Sequence, residues 1–165
     1  PADHWVHDPE VGGGRIIGEA CHFIDLAQHL TGSKIKSVAA NAVRTSENLM
    51  DNVAISLELE NGSIATISYF SNGSKQVSKE YLEVFCSNKT AIIDDFKTLT
   101  LAGEKVQKIS GKQDKGYDKE IESFVASIKN GAEAPIPADE LFLSTLVSFK
   151  VIESIQKGGE KIVIS

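Results

Sequence analysis

Between positions 15 and 29 the chain carries a guanidinium, two imidazoles and two carboxylates at spacings that one helix would gather. Set about 100° apart round a helix, Arg15, Gly18, His22, Asp25 and His29 share one side. Ile16, Ile17, Ala20, Phe23, Ile24 and Ala27 share the other. An imidazole titrates near neutral pH, so His22 can exchange a proton with a substrate hydroxyl. Arg15 and the N–H groups at the start of a helix favour anionic or oxygen-rich ligands, and Gly18 leaves room beside them. Two readings stay open. The stripe is the wall of a polar pocket, with Arg15, Gly18 and Asp25 lining the substrate and His22 moving the proton. Or it is the solvated side that any amphipathic helix needs, with Asp25 and His29 as a surface pair four residues apart. Glu19 lies to the side of the stripe and reads as readily as a surface carboxylate as an acid–base group.

Other chemistry finds less support. Gly12-Gly13-Gly14 precedes the helix but follows no hydrophobic strand, and neither a G-x-G-x-x-G nor a Walker sequence occurs, so a nucleotide cradle is not indicated. The glycines read instead as places where the backbone passes close to a partner surface or a ligand. His4, His7, Cys21, His22 and Cys86 are the candidate metal ligands. His4 and His7 fall outside any clear helix, and Cys21 and His22 point to different sides of theirs, so no metal site is expected. No serine sits in a nucleophile elbow. A net charge of −6 with dispersed lysines offers no stripe to nucleic acid, and no apolar run is long enough to span a membrane. Two cysteines far apart suit a reducing cytoplasm, with both thiols reduced and buried. The opening Pro1-Ala2-Asp3-His4-Trp5 is neither a signal peptide nor an initiator sequence, and reads as cut from something longer.

These groups need elements to hold them. The chain has 165 residues, 41% hydrophobic and 24% charged, enough for one core and a single domain over residues 1–165. The helical period covers residues 14–30 and stops at Thr31-Gly32-Ser33, with Gly32 as a left-handed cap. The period then becomes two over 34–43 and 52–60, and Asn61-Gly62 turns the chain back through 63–70. Two further hairpins pair 81–86 with 90–94 and 98–101 with 105–109. Helices follow from Tyr117 to Asn130-Gly131 and over 138–156. The second is apolar over a wide arc (Leu141, Leu143, Leu146, Val147, Phe149, Val151, Ile152 and Ile155), which predicts burial on more than one side. A short strand over 161–164 ends the chain. Short links between strands imply an α+β fold with an open, mostly antiparallel sheet and helices packed on one face.

Three stretches, in order, resemble the C-terminal domain of the Gfo/Idh/MocA (glucose–fructose oxidoreductase/inositol dehydrogenase) oxidoreductase family. They are Gly12-Gly13-Gly14-Arg15-Ile16-Ile17-Gly18-Glu19-Ala20-Cys21-His22-Phe23-Ile24-Asp25-Leu26 running to Leu30-Thr31-Gly32; Glu120-Ile121-Glu122-Ser123-Phe124 running to Asn130-Gly131 with Pro135 behind; and Ala138-Asp139-Glu140 through Val151-Ile152-Glu153-Ser154-Ile155 to Gly158-Gly159. Together they cover essentially the whole chain. The resemblance implies an open sheet whose free face builds a homo-oligomer. It also implies an upstream Rossmann domain that binds NAD or NADP and carries the catalytic lysine, neither of which lies in this chain. In the family a histidine on this first helix sits beside the nicotinamide and assists proton transfer at the sugar or polyol hydroxyl being oxidised, a role that falls on His22. Many members carry an acidic residue four positions earlier, where this chain has Gly18, so the proton relay departs from the family's pattern. The implied function is the substrate-binding domain of an NAD(P)-dependent oxidoreductase that transfers hydride from a sugar-like or polyol substrate, inactive and without cofactor as an isolated chain. A non-catalytic association module that uses its sheet for assembly is the alternative.

Overall fold

The hydrophobic periods translate into elements almost position by position. The computed structural model describes residues 4–8, 10–44 and 49–164; Pro1, Ala2 and Asp3 of the opening segment lie outside them. In chain order the helices are α1 (Cys21–Thr31), α2 (Tyr117–Asn130) and α3 (Ala138–Gln156). The strands are β1 (Ile35–Ala42), β2 (Asn52–Leu59), β3 (Ile64–Phe70), β4 (Tyr81–Cys86), β5 (Lys89–Asp94), β6 (Thr98–Ala102), β7 (Val106–Ser110) and β8 (Ile162–Val163). They form two compact units, residues 1–72 with 136–165, and residues 73–135.

In the first unit the strands pair antiparallel in the order β3-β2-β1-β8. Because side chains alternate between faces, the register puts Val38 opposite Leu57, Ala40 opposite Ile55 and Ile55 opposite Ile67. These residues are all buried, whereas Ala54, Ser56, Thr66 and Ser68 on the other face are exposed. Ile24 and Ala27 of α1 and Val147 and Val151 of α3 close over the inner row. Gly62, at φ 85°, turns β2 into β3, and Gly32, at φ 59°, ends α1 in the left-handed conformation its sequence called for.

The packing of α3 differs from its hydrophobic pattern. Its buried residues are Ser144, Val147, Ser148, Val151 and Ser154, while Leu141 and Phe149, expected inside, are each 50% exposed. Serine and valine let the helix backbone approach α1 and β1 closely, and every buried hydroxyl has a partner, as buried polar groups require. Ser148 donates to Thr145 O at 2.7 Å. Ser154 accepts from Ala40 N at 2.9 Å and donates to Glu160 O at 2.6 Å, tying α3 both to β1 and to the approach of β8.

The second unit is an antiparallel meander, β4-β5-β6-β7. Each strand pairs with its predecessor, so the single open sheet read from the sequence is realised as two open four-stranded sheets. Ser87 and Asn88 at φ 49° and 61° supply the paired positive angles that a two-residue hairpin favours. Helix α2 is amphipathic, yet none of its residues is buried.

Ser154→Ala leaves the buried Ala40 N–H without its acceptor and is expected to cost about 1–3 kcal/mol. Urea denaturation checks this; a stability within a few tenths of the parent would show that the hydroxyl does not anchor α3.

Candidate functional site

The helix bearing the polar stripe is placed from behind by its own chain. A 3-10 turn at Trp5–His7 lies so close to the glycines that a Cβ on Gly12 would stand 2.5 Å from Val6 Cα. Gly14, at φ 90°, donates its N–H to Val6 O at 2.8 Å. The close approach that the triple glycine calls for is thus made within the chain. From Arg15 the backbone enters a π-helical turn, Ile16–Ala20, before α1 begins. A π-turn changes the angular step, so uniform 100° spacing does not carry through it.

Arg15 and Glu19 face each other across this turn. Arg15 Nη1 donates to Glu19 Oε1 and reaches the Tyr69 hydroxyl at 3.5 Å. Tyr69 Oη donates to Glu19 Oε2 at 2.7 Å, joining β3 to the start of the helix. The hydrogen bond with Tyr69 raises the proton affinity of Arg15, against desolvation and with further support from Glu19 and Asp51. Tyr69 is pushed above the ordinary tyrosine range, first by burial and then by its bond to Glu19, with Arg15 opposing. Arg15 Nε is buried and has no hydrogen-bond partner among the described residues.

On the far flank, Asp25 Oδ1 accepts from Ser144 Oγ at 3.0 Å. The same hydroxyl accepts from Gln28 Nε2 at 2.9 Å, so Asp25 is engaged by α3. Gly18 and His22 are both exposed, and a Cβ added at Gly18 would meet nothing within 4 Å. The stripe is therefore pinned to β3 through Arg15 and to α3 through Asp25, and it leaves an exposed imidazole beside an open position. His29 is exposed near the other end of α1.

The sequence reading does not reach Tyr69, and it leaves Glu19 as a surface carboxylate or an acid–base group rather than the partner of Arg15. Tyr69 continues the inner row of Ala65 and Ile67, and a phenol in an apolar row needs a partner for its hydroxyl. Glu19 follows Arg15 by four residues, the spacing of a helical ion pair. Those two signals together point to the cluster. Cys21 is half-buried and burial raises its thiol pKa, whereas Cys86, expected inside, is exposed. Among the described residues no three His, Cys, Asp or Glu side chains come together to hold a metal, and no helix is long and apolar enough to cross a membrane.

Residues 1–92, which include the whole helix and its pinning strand, match the family profile described as the GFO/IDH/MocA C-terminal domain. The chain belongs to this family. No curated protein sequence matches it. Among solved structures, the GFO/IDH/MocA domain is similar to levoglucosan dehydrogenase in complex with NADH and levoglucosan, at 17% identity and a TM-score of 0.81, over 98% of this chain and 53% of that one. It is similar to an aldose-aldose oxidoreductase from Caulobacter crescentus complexed with glycerol, at 14% identity and a TM-score of 0.82, over 99% and 52% of the two chains. A UDP-N-acetylglucosamine 3-dehydrogenase from Acidithiobacillus ferrooxidans matches at 19% identity and a TM-score of 0.75, over 86% and 47%. At these identities the likeness establishes the fold. The domain spans about half the length of these relatives.

The raised pKa of Tyr69 fixes a sign. A proton held more tightly in the folded state stabilises the fold below the unfolded tyrosine pKa of about 10, and that contribution is lost as pH rises through the higher folded value. Ultraviolet titration, with Tyr69→Phe to assign the signal, should find Tyr69 ionising above the ordinary range and moving down in Glu19→Gln. An unchanged midpoint in Glu19→Gln would remove the carboxylate as a cause.

Proposed function

We propose that this domain forms the substrate wall of an NAD(P)-dependent oxidoreductase acting on a sugar-like or polyol hydroxyl. The observation that carries the reading is His22: an exposed imidazole on a helix held at both flanks, with the open position of Gly18 one turn before it. Membership of the GFO/IDH/MocA C-terminal domain family supports it, as does the presence of NADH and levoglucosan in one relative of the same fold.

The chain contains no glycine-rich nucleotide fingerprint, so NAD or NADP would be held mainly by an upstream Rossmann domain, and the isolated chain should not bind it. The bound nicotinamide supplies the hydride acceptor. His22 accepts the proton that leaves the substrate hydroxyl as the carbon gives up its hydride, which balances one proton and one hydride against the new carbonyl. Arg15, Gly18 and Asp25 shape the wall: Gly18 by leaving space, Asp25 by fixing the helix on α3, and Arg15 by fixing Glu19 and Tyr69. The free thiols suit a reducing cytoplasm.

A second role rests on the outer face of the first sheet. Ala54, Ser56, Thr66 and Ser68 keep it low and flat, and Ile64 and Phe70 stand exposed at its margin. Such a face suits association of like subunits, and a module that serves assembly alone is the alternative reading.

In the full-length protein His22→Ala should lower kcat by about 10²-fold or more, the scale of general acid–base catalysis, while cofactor affinity stays nearly constant. Steady-state kinetics with cofactor titration separates the two. Parallel losses in both would mark the histidine as structural, and unchanged turnover would favour the association module.

A further inference from the structure

We infer that Asn72 is a site of spontaneous chemical modification: its side-chain amide closes on the Gly73 nitrogen, loses ammonia and leaves aspartate or isoaspartate in its place.

Asn-Gly is the dipeptide in which this reaction meets least steric resistance, because glycine has no Cβ to shield its nitrogen. The chain holds three such pairs, Asn61-Gly62, Asn72-Gly73 and Asn130-Gly131, and the first two are each followed by serine. Residues 61–63 and 72–74 are therefore the same tripeptide, and Asn61, Gly62, Asn72 and Gly73 are all exposed. Neither local sequence nor burial separates the two sites. Hydrogen bonding does. At the β2–β3 turn Asn61 Nδ2 donates to Thr31 O at 3.1 Å, and Asn61 Oδ1 accepts from Ser63 N at 3.0 Å. The Gly62 nitrogen, which would have to attack, donates to Leu59 O at 3.0 Å. Turning the Asn61 amide onto that nitrogen breaks all of these bonds. Gly131 N is also held, donating to Ile128 O at 3.3 Å where α2 ends. Beyond β3 the hold is looser. Asn72 donates its main-chain N–H to Asn52 Oδ1 at 3.3 Å. Among the described residues its side-chain amide has no hydrogen-bond partner, and the Gly73 N–H meets no acceptor in hydrogen-bonding geometry.

Solvent base removes the Gly73 amide proton, the nitrogen attacks Asn72 Cγ, and a cyclic imide forms as ammonia leaves. Water then opens either carbonyl of the ring. The balance is one water taken up and one ammonia released, with nothing oxidised or reduced. The product carries a new carboxylate at the end of β3, next to Ser71, whose N–H and Oγ both bind Asp51. Isoaspartate also routes the main chain through Cβ, which lengthens it between the last residue of the first unit and the first of the second.

The test incubates the protein at mildly alkaline pH and follows asparagine, aspartate and isoaspartate at positions 61, 72 and 130 by peptide mapping with mass spectrometry. Asn72 should convert at least about tenfold faster than Asn61, since releasing a single hydrogen bond is worth up to about that factor in rate. Unfolded in urea, the two identical tripeptides should react at nearly equal rates. Conversion of Asn61 or Asn130 as fast as Asn72 in the folded protein overturns the inference. A lead for Asn72 that persists undiminished in urea overturns it too, because hydrogen bonding in the fold would then not set the order.

Discussion

The Tyr69 hydroxyl crosses from the inner row of the sheet to Glu19, in the turn that begins the His22 helix. Without that bond the half-buried phenol would have no acceptor for its proton, and burying an unpaired polar group costs more than the bond itself returns. Arg15, Glu19 and Tyr69 thus satisfy one another at the π-turn that precedes α1. The second pin, Asp25 through Ser144 to Gln28, does the same on the side of α3. A helix fixed along both flanks can hold an exposed imidazole in one direction, which is the property that a proton-transferring wall requires.

The same economy of space governs the layer behind. Serines on α3 do what larger apolar residues could not: they bring its backbone against β1 and α1 while closing their own hydrogen bonds. Ser154 is completely buried and serves both as acceptor for Ala40 and as donor to Glu160. Leu141, Phe142 and Phe149 of this helix are turned outward, while Leu143, Ile152 and Ile155 still pack against the core. The outer face of the first sheet, with its small and hydroxylated residues, stays separate from the site and is available for a different task.

Much of this was legible in the sequence. Periods of two and 3.6, read with Gly32, Asn61-Gly62 and Gly131, placed the helices and hairpins nearly to the residue, because turn chemistry and burial point the same way at those positions. The burial of α3 was not legible: hydrophobicity marks Leu141 and Phe149 as core, and only the geometry of close helix packing reverses the order in favour of Ser144 and Ser148. The division into two sheets depends on which strands meet across long stretches of chain, which local patterns do not encode. At the site, the stripe from Arg15 to His29 gave His22 its exposure and Gly18 its openness. The stripe alone did not show how Arg15 is engaged: Glu19 is four residues away in sequence, but Tyr69 lies 54 residues away on another element.

The central claim is that the His22 imidazole faces the reacting hydroxyl. A crystal structure of the full-length protein with NAD or NADP and a bound polyol tests it most directly. The account predicts an imidazole nitrogen about 2.6–3.2 Å from the hydroxyl on the carbon nearest the nicotinamide, the reach of a general base. A productive complex in which that hydroxyl is met by another group, with His22 turned to solvent, would contradict it.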